Sequence, residues 1–70
     1  MEEFSLAGRD FVELKNLLKL SGLAESGGAA KAAIAEGLVT VDGGVELRKG
    51  CKVRAGQVVE FENSRVVVKG

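Results

Sequence analysis

In the first half of the chain, apolar residues recur at the three- and four-residue spacing that is typical of a helix. The first such stretch predicts a helix from Phe11 to Leu20, with Asp10 as a capping residue before it and Gly22 as a left-handed stop after it. Because these apolar residues form one stripe, we expect them to be buried in the core. They are Phe11, Leu14, Leu17 and Leu18.

The second predicted helix, Gly27 to Glu36, consists almost entirely of alanine and glycine. Ser26 is a suitable N-cap for it, and Gly37 is a suitable end. Two glycines in its first turn cost roughly 1 kcal/mol each relative to alanine, so their presence needs a reason. Either the two helices pack closely there, or a ligand approaches closely. The face expected to pack inward consists of Ala29, Ala30, Ala33 and Ile34.

After the second helix the spacing of apolar residues changes from helical to alternating, which indicates short strands. Asp42-Gly43 is a strong two-residue hairpin signal between two of these runs. Later strands are predicted at Val58 to Phe61 and Val66 to Val68, and a short edge strand, Glu3 to Leu6, precedes the helices. Seventy residues leave room for one domain, so residues 1–70 are expected to form a single α+β domain.

Composition excludes several classes of chemistry. The chain has no histidine and one cysteine, Cys51, which excludes an imidazole base, an internal disulfide and a zinc cluster. The acidic residues are scattered and form no convincing pair for acid–base catalysis. We therefore expect no enzyme activity, no bound metal and no cofactor. A chain without disulfides is suited to the cytoplasm, and no apolar run approaches the ~20 residues that a membrane span needs.

Cys51 itself has two explanations. Its cationic neighbours Lys49 and Lys52 could lower the pKa of the thiol and make it reactive. No base or partner thiol is present to use such reactivity, however, so a role as a small apolar filler is the better explanation.

The placement of charge is more informative than the formal net charge, which is zero from ten basic and ten acidic residues. Residues 47–54, called the basic segment below, hold four basic side chains and no acidic one. A neutral protein with a basic face can still bind the phosphates of a nucleic acid. A solvated turn whose charges resist aggregation explains the same cluster, so the charges alone leave both explanations open. The basic side chains are Arg48, Lys49, Lys52 and Arg54.

The predicted start of the second helix is another element that favours anions. The first amides of a helix lack intrahelical partners, and the macrodipole places roughly half a positive charge there. Gly27 and Gly28 have no side chain to keep a phosphate away, and Ser26 adds a hydroxyl. Lys31 follows one turn later. These four residues predict a phosphate-binding position, although close packing of the two helices explains the glycines equally well.

The order and spacing of the motifs resemble a known family. From about Val12 to Phe61 the chain is similar to the RNA-binding domain named after ribosomal protein S-four, the alpha-L motif. Across its whole length it looks still more like the small stand-alone bacterial proteins of the YbcJ family, with their Phe-Ser-Leu start, Leu-Leu-Lys-Leu helix and Arg-Lys-x-Cys-Lys stretch. The residues that carry the resemblance are 12–18, 25–26, Ala30, 34–37, Val39, 41–43, Arg48, Lys52 and Gly56.

This resemblance implies two packed helices on a small, mostly antiparallel sheet of four to five short strands. It also implies a non-catalytic protein that contacts the phosphate backbone of structured RNA, such as ribosomal or transfer RNA, through the start of the second helix and the basic segment. Gly27 stands where many members of the wider family have arginine, and Gln57 stands where aspartate is common. The RNA-binding residues carried over by position are Ser26, Gly27, Gly28, Lys31, Arg48, Lys49, Lys52 and Arg54.

Two other functions remain open from the sequence. The Val-x-Val-Asp-Gly stretch and residues 53–61 also suit a ubiquitin-like sulfur carrier, but such carriers end in Gly-Gly and this chain ends in Lys69-Gly70. Alternatively, the small-residue second helix is the docking face of a protein-interaction domain. None of these functions requires a small-molecule substrate or a membrane, and the sequence does not indicate an oligomeric state.

Overall fold

In the computed structural model, residues 2–70 are described. Over these residues the chain forms two helices and seven short strands. Their bounds are β1 Glu2–Ser5, β2 Val12–Glu13, α1 Leu14–Leu20, α2 Gly27–Ala35, β3 Val39–Val41, β4 Gly44–Val45, β5 Lys52–Val53, β6 Val58–Phe61 and β7 Ser64–Lys69. Within this described part, neither helix is long and apolar enough to cross a membrane.

The strands form two sheets of different size. The main sheet has five strands in the order β1-β7-β6-β3-β4, and the second sheet consists of β2 and β5. Among the strands within residues 2–70, only β1 pairs in parallel, with β7, and the other pairs are antiparallel. The predicted α+β class, with two helices on a mostly antiparallel sheet, is confirmed. The small second sheet was not predicted.

The register of the main sheet places one face of the strands against the helices. Val59 lies between Val41 of β3 and Val66 of β7, so these three residues share the inner face. On the outer face, Val58 pairs with Val67, and both stay half-buried. The largest fully buried side chains come from the inner face, the helices and the segments next to them. They are Leu6, Leu14, Leu17, Leu18, Ile34, Val39, Val53, Val59, Val66 and Val68.

Helix α1 begins three residues later than predicted, at Leu14 instead of Phe11. The chain before Leu14 is extended because Val12 and Glu13 pair with β5. Glu13 occupies the N-cap position with φ −70° and ψ 141°, and its side chain makes no capping hydrogen bond. The prediction that Asp10 caps this helix is therefore wrong. The three leucines of the predicted stripe are buried, but Phe11 lies outside the helix and is only half-buried.

Helix α2 forms as predicted to within one residue. The Ser26 side chain accepts a hydrogen bond from the backbone N–H of Ala29 at 3.1 Å, which confirms the N-cap. Ala30, Ala33 and Ile34 are buried as expected. Ala29 is exposed, however, so its assignment to the packed face was wrong. Ala29 lies in the first turn of the helix, and the buried residues lie at Ala30 and beyond.

The predicted hairpin between β3 and β4 is confirmed. Asp42 and Gly43 have φ of 52° and 85°, the left-handed pair that a type I′ turn requires. The Asp42 carboxylate also accepts hydrogen bonds from the Val58 N–H at 2.9 Å and the Gln57 side chain at 3.2 Å. The hairpin turn is thereby attached to the start of β6.

Candidate nucleic-acid interface

The basic segment is only partly a loop. Lys52 and Val53 form β5 and pair with β2, and Val53 is fully buried. Before β5, the Cys51 N–H donates to the Arg48 carbonyl at 3.1 Å and closes a turn. Because Val53 anchors the segment in the core, the neighbouring basic side chains project from a fixed backbone.

The first turn of α1 holds the same segment in place. The N–H of Leu14 donates to the Cys51 carbonyl at 2.9 Å, and the N–H of Lys15 donates to the Lys49 carbonyl at 3.1 Å. These carbonyls satisfy helix amides that a side-chain cap would otherwise bind. The start of α1 is therefore an anchor for the basic segment, and these two amides are already occupied.

Most of the predicted basic residues meet at one place. An open depression of about 550 Å³ is lined by Arg48, Gly50, Cys51, Lys52 and Arg54. Lys49 is exposed on the same segment but does not line the depression. Three cations around one concave surface concentrate positive potential there. This is the arrangement that a phosphate group favours.

Phe11 is a residue of this site that sequence analysis assigned to the helix core. The Lys52 Nζ lies 5.0 Å from the centroid of the Phe11 ring, and the Arg54 Cζ lies 5.8 Å from it. Both distances are within the range of cation–π contacts. The ring thus holds two cations on one side of the depression. Phe11 lies next to these cations because β2 pairs with β5. No local signal in the sequence indicates that pairing, so the contact of Phe11 with the cations could not be predicted.

Arg54 is also held through its backbone. Its N–H donates to the Gln57 side-chain carbonyl at 2.8 Å, and the Gln57 amide donates to the Asp42 carboxylate at 3.2 Å. Gly56 adopts a φ of +91° in the same turn. Gln57 therefore links the end of the basic segment to the β3–β4 hairpin.

Arg48 is opposed by an acidic residue that lies just outside the basic segment. The Arg48 Nε donates to the Glu46 carboxylate at 3.0 Å, and the Arg48 backbone N–H donates to the same oxygen at 3.1 Å. These hydrogen bonds lower the pKa of Glu46 to about 2 and raise the pKa of Arg48. The expectation of four unopposed cations is corrected by this pair. The Arg48 side chain nevertheless stays 81% exposed.

Cys51 is half-buried and packs against the hydrophobic core. Burial, the largest cause, and the neighbouring Glu46 raise the pKa of the Cys51 thiol, while Arg48 acts in the opposite direction. A raised pKa disfavours the reactive thiolate. The idea that Lys49 and Lys52 activate the thiol is therefore not supported, and the filler role agrees with the packing.

If the chain binds RNA as the family resemblance implies, replacing Cys51 by serine or alanine should leave the RNA affinity within a few-fold of the unmodified chain, because the adjacent cations and not the thiol would contact phosphate. Fluorescence anisotropy with a labelled RNA hairpin measures this affinity, and circular dichroism checks folding. A folded Cys51→Ala protein that no longer binds RNA would require a direct role for the sulfur.

The start of α2 is open to solvent. Gly28 is exposed and Gly27 half-buried. A Cβ added to Gly27 would have no atom within 4 Å, and one added to Gly28 would meet only the Ser26 hydroxyl at 3.9 Å. The glycines are therefore not needed for close packing of the helices. Their amides, in the first turn, have no intrahelical acceptor, and the nearby Lys31 is exposed.

The structure does not bring all predicted residues into one cluster. Ser26, Gly27, Gly28 and Lys31 do not line the depression. The opposite end of α2 lies near the basic segment, since a Cβ on Gly37 would be 3.9 Å from the Leu47 side chain. The candidate interface therefore has two parts, the depression and the start of α2.

Comparison with known proteins assigns the chain to a family. The family model described as S4 domain matches residues 4–69. The chain belongs to the S4 domain family. This S4 domain is 57% identical over 68 residues to YbcJ of Escherichia coli (strain K12) and to YbcJ of Shigella flexneri, and 97% of each chain is covered. The predicted family is thereby confirmed.

A solved structure supports both the family and the fold. The solution structure of YbcJ from E. coli matches 100% of this chain and 89% of that chain, with a TM-score of 0.78 and 56% sequence identity. It is described as revealing an alpha-L motif involved in RNA-binding. In the described part of the present S4 domain, residues 2–70, no three His, Cys, Asp or Glu side chains come together as a metal site.

Proposed function

We propose that this S4 domain is a non-catalytic RNA-binding protein that contacts the phosphate backbone of structured RNA. The observation that carries the proposal is the depression lined by Arg48, Lys52 and Arg54. Each of these cations is held by a defined contact, through Glu46, Phe11 or Gln57. The alpha-L motif described for the solution structure of YbcJ supports RNA as the ligand.

The two parts of the interface take different roles. The basic segment provides charged donors for phosphates, and the start of α2 provides backbone amides and the Lys31 ammonium. Two separate phosphate-binding parts suit a folded RNA that presents phosphates at two fixed places, because a mobile single strand would lose more conformational entropy on binding. Ribosomal and transfer RNA are such folded molecules.

Salt dependence of binding tests this function. If three or four phosphates are neutralised, a plot of log K against log salt should have a slope of about −2 to −4. Anisotropy titrations with a labelled RNA hairpin between low and moderate salt give this slope. A chain that fails to bind folded RNA even at low salt would contradict the proposed function.

Replacing Gly28 by aspartate should weaken RNA binding and reduce the magnitude of the salt slope by about one. The new carboxylate would stand where a phosphate is expected, and the open surroundings of Gly28 accommodate it. Folding should be unchanged or improved by ~0.3–1 kcal/mol, because an acidic side chain suits the helix start. Normal RNA binding by Gly28→Asp would remove this part of the interface.

Two further variants control this experiment. Gly28→Asn has a side chain of nearly the same size without the charge, so it should bind RNA better than Gly28→Asp. Gly27→Arg adds a cation at a position where a Cβ meets no atom within 4 Å. It should therefore bind RNA more tightly and with a steeper salt slope.

A further inference from the structure

Glu46 is an unexpected residue to find beside a cationic depression. Its neighbours Val45 and Leu47 are 60% and 62% exposed, whereas the Glu46 side chain is only 18% exposed. The carboxylate is thus turned toward the protein and toward the basic segment. A negative charge there repels an approaching phosphate. The position of the Glu46 carboxylate is explained by a stabilising contact with another residue.

That contact is with Arg48. One carboxylate oxygen of Glu46 accepts both the Arg48 backbone N–H and the Arg48 Nε–H, at 3.1 and 3.0 Å. The first bond fixes the backbone where the basic segment begins, and the second fixes the direction of the guanidinium. Because the bond uses Nε, the outer Nη groups remain free to donate to a ligand. The 81% exposed side chain then lines the depression in a defined orientation.

We propose that Glu46 is a positioning residue, which preorients the Arg48 guanidinium for a phosphate of the RNA. This inference rests on the proposed function. A free arginine loses considerable rotamer freedom when it binds, and a fixed one has already lost it. The affinity gained from this preorganisation offsets the repulsion between the Glu46 carboxylate and the phosphate.

The proposal predicts an effect opposite in sign to simple electrostatics. Glu46→Ala removes a negative charge beside an anion site, so charge alone predicts tighter RNA binding. Loss of positioning predicts binding weakened by about three- to ten-fold. Glu46→Gln makes the same change in charge but keeps an acceptor for Arg48, so it should bind RNA better than Glu46→Ala.

A matched control is available in the same chain. Glu60 forms an ion pair of the same kind, with its carboxylate 3.1 Å from the Arg65 Nε, on the main sheet. Neither residue lines the depression. Glu60→Ala therefore removes one negative charge, as Glu46→Ala does, and it also breaks an ion pair between a glutamate and an arginine Nε. It should leave RNA binding unchanged or slightly tighter.

A double-mutant cycle with Arg48→Ala isolates the coupling. In the Arg48→Ala background, Glu46→Ala should no longer weaken binding, and it should tighten it slightly. If Glu46→Ala tightens binding equally in both backgrounds, the positioning role is refuted. Thermal midpoints of all variants test whether differences in folding cause the effect.

A spectroscopic readout separates this inference from the proposed function. The chemical shift of the Arg48 Nε–H should differ between the unmodified chain and Glu46→Ala, and Glu46→Gln should give an intermediate value. An unchanged chemical shift in Glu46→Ala would refute the positioning role. Failure of the unmodified chain to bind RNA would instead refute the proposed function.

Discussion

Replacing Arg48, Lys49 and Lys52 together by alanine should abolish retention of RNA while the thermal midpoint stays nearly unchanged. Loss of three cations removes about three phosphate contacts, and the salt slope should approach zero. Stability should be kept because Arg48, Lys49 and Lys52 are exposed. The anchoring bonds from α1 go to backbone carbonyls of the segment, which alanine retains. Anisotropy titrations and a thermal melt measure the two quantities.

The control for this variant removes the same charge elsewhere. Lys19, Arg65 and Lys69 are exposed and do not line the depression. Lys15 is a poorer choice, because it is half-buried and its replacement would also remove packing. The control triple alanine variant should retain most of its RNA affinity. Equal loss in both triple variants would mean that total charge, and not a localised site, accounts for binding.

Replacing Leu17 by alanine should lower the thermal midpoint by at least ~10 °C or eliminate the cooperative transition. Leu17 is fully buried in the hydrophobic core. Such a truncation costs ~2–5 kcal/mol, whereas a domain of this size has a margin of only ~3–5 kcal/mol. Circular dichroism during heating measures the change.

Leu20 is the matched control, since it lies on the same helix and its side chain is 61% exposed. Leu20→Ala makes the same chemical change without creating a cavity, so its midpoint should stay within a few degrees. Equal destabilisation by the two substitutions would contradict the assignment of the α1 core face.

Elements with strong local signals were predicted well. Ser26 caps α2 because its hydroxyl reaches an amide three residues away, and Asp42-Gly43 adopts left-handed backbone angles that few residue pairs tolerate. Neither feature depends on distant parts of the chain. This is why the sequence was sufficient for the second helix and the hairpin.

The start of α1 could not be predicted, because its cause is tertiary. The Asp10 signal is local, but β2 pairs with β5, which is about forty residues further along the chain. That pairing extends the backbone through Glu13 and moves Phe11 from the helix to a position beneath Lys52 and Arg54. A capping pattern in the sequence does not show that strand pairing competes with helix formation at Val12 and Glu13.

The sequence predicted the cations of the candidate site, but it did not predict the residues that hold those cations in place. Arg48, Lys52 and Arg54 were visible as a charge cluster, whereas the Arg48 contact with Glu46 depends on the turn geometry. The glycines of α2 were ambiguous, because close packing and ligand access require the same residue type. The open space around Gly27 excludes close packing as the reason, and ligand access stays a prediction.

Ultraviolet crosslinking in cells that express the chain tests the central claim most directly. Bound RNA is sequenced, and the crosslinked peptides are mapped by mass spectrometry. The account predicts folded RNA attached within residues 26–31 and 48–54. Crosslinks confined to the outer face of the main sheet, or no RNA recovered above the level of the triple alanine variant, would contradict it.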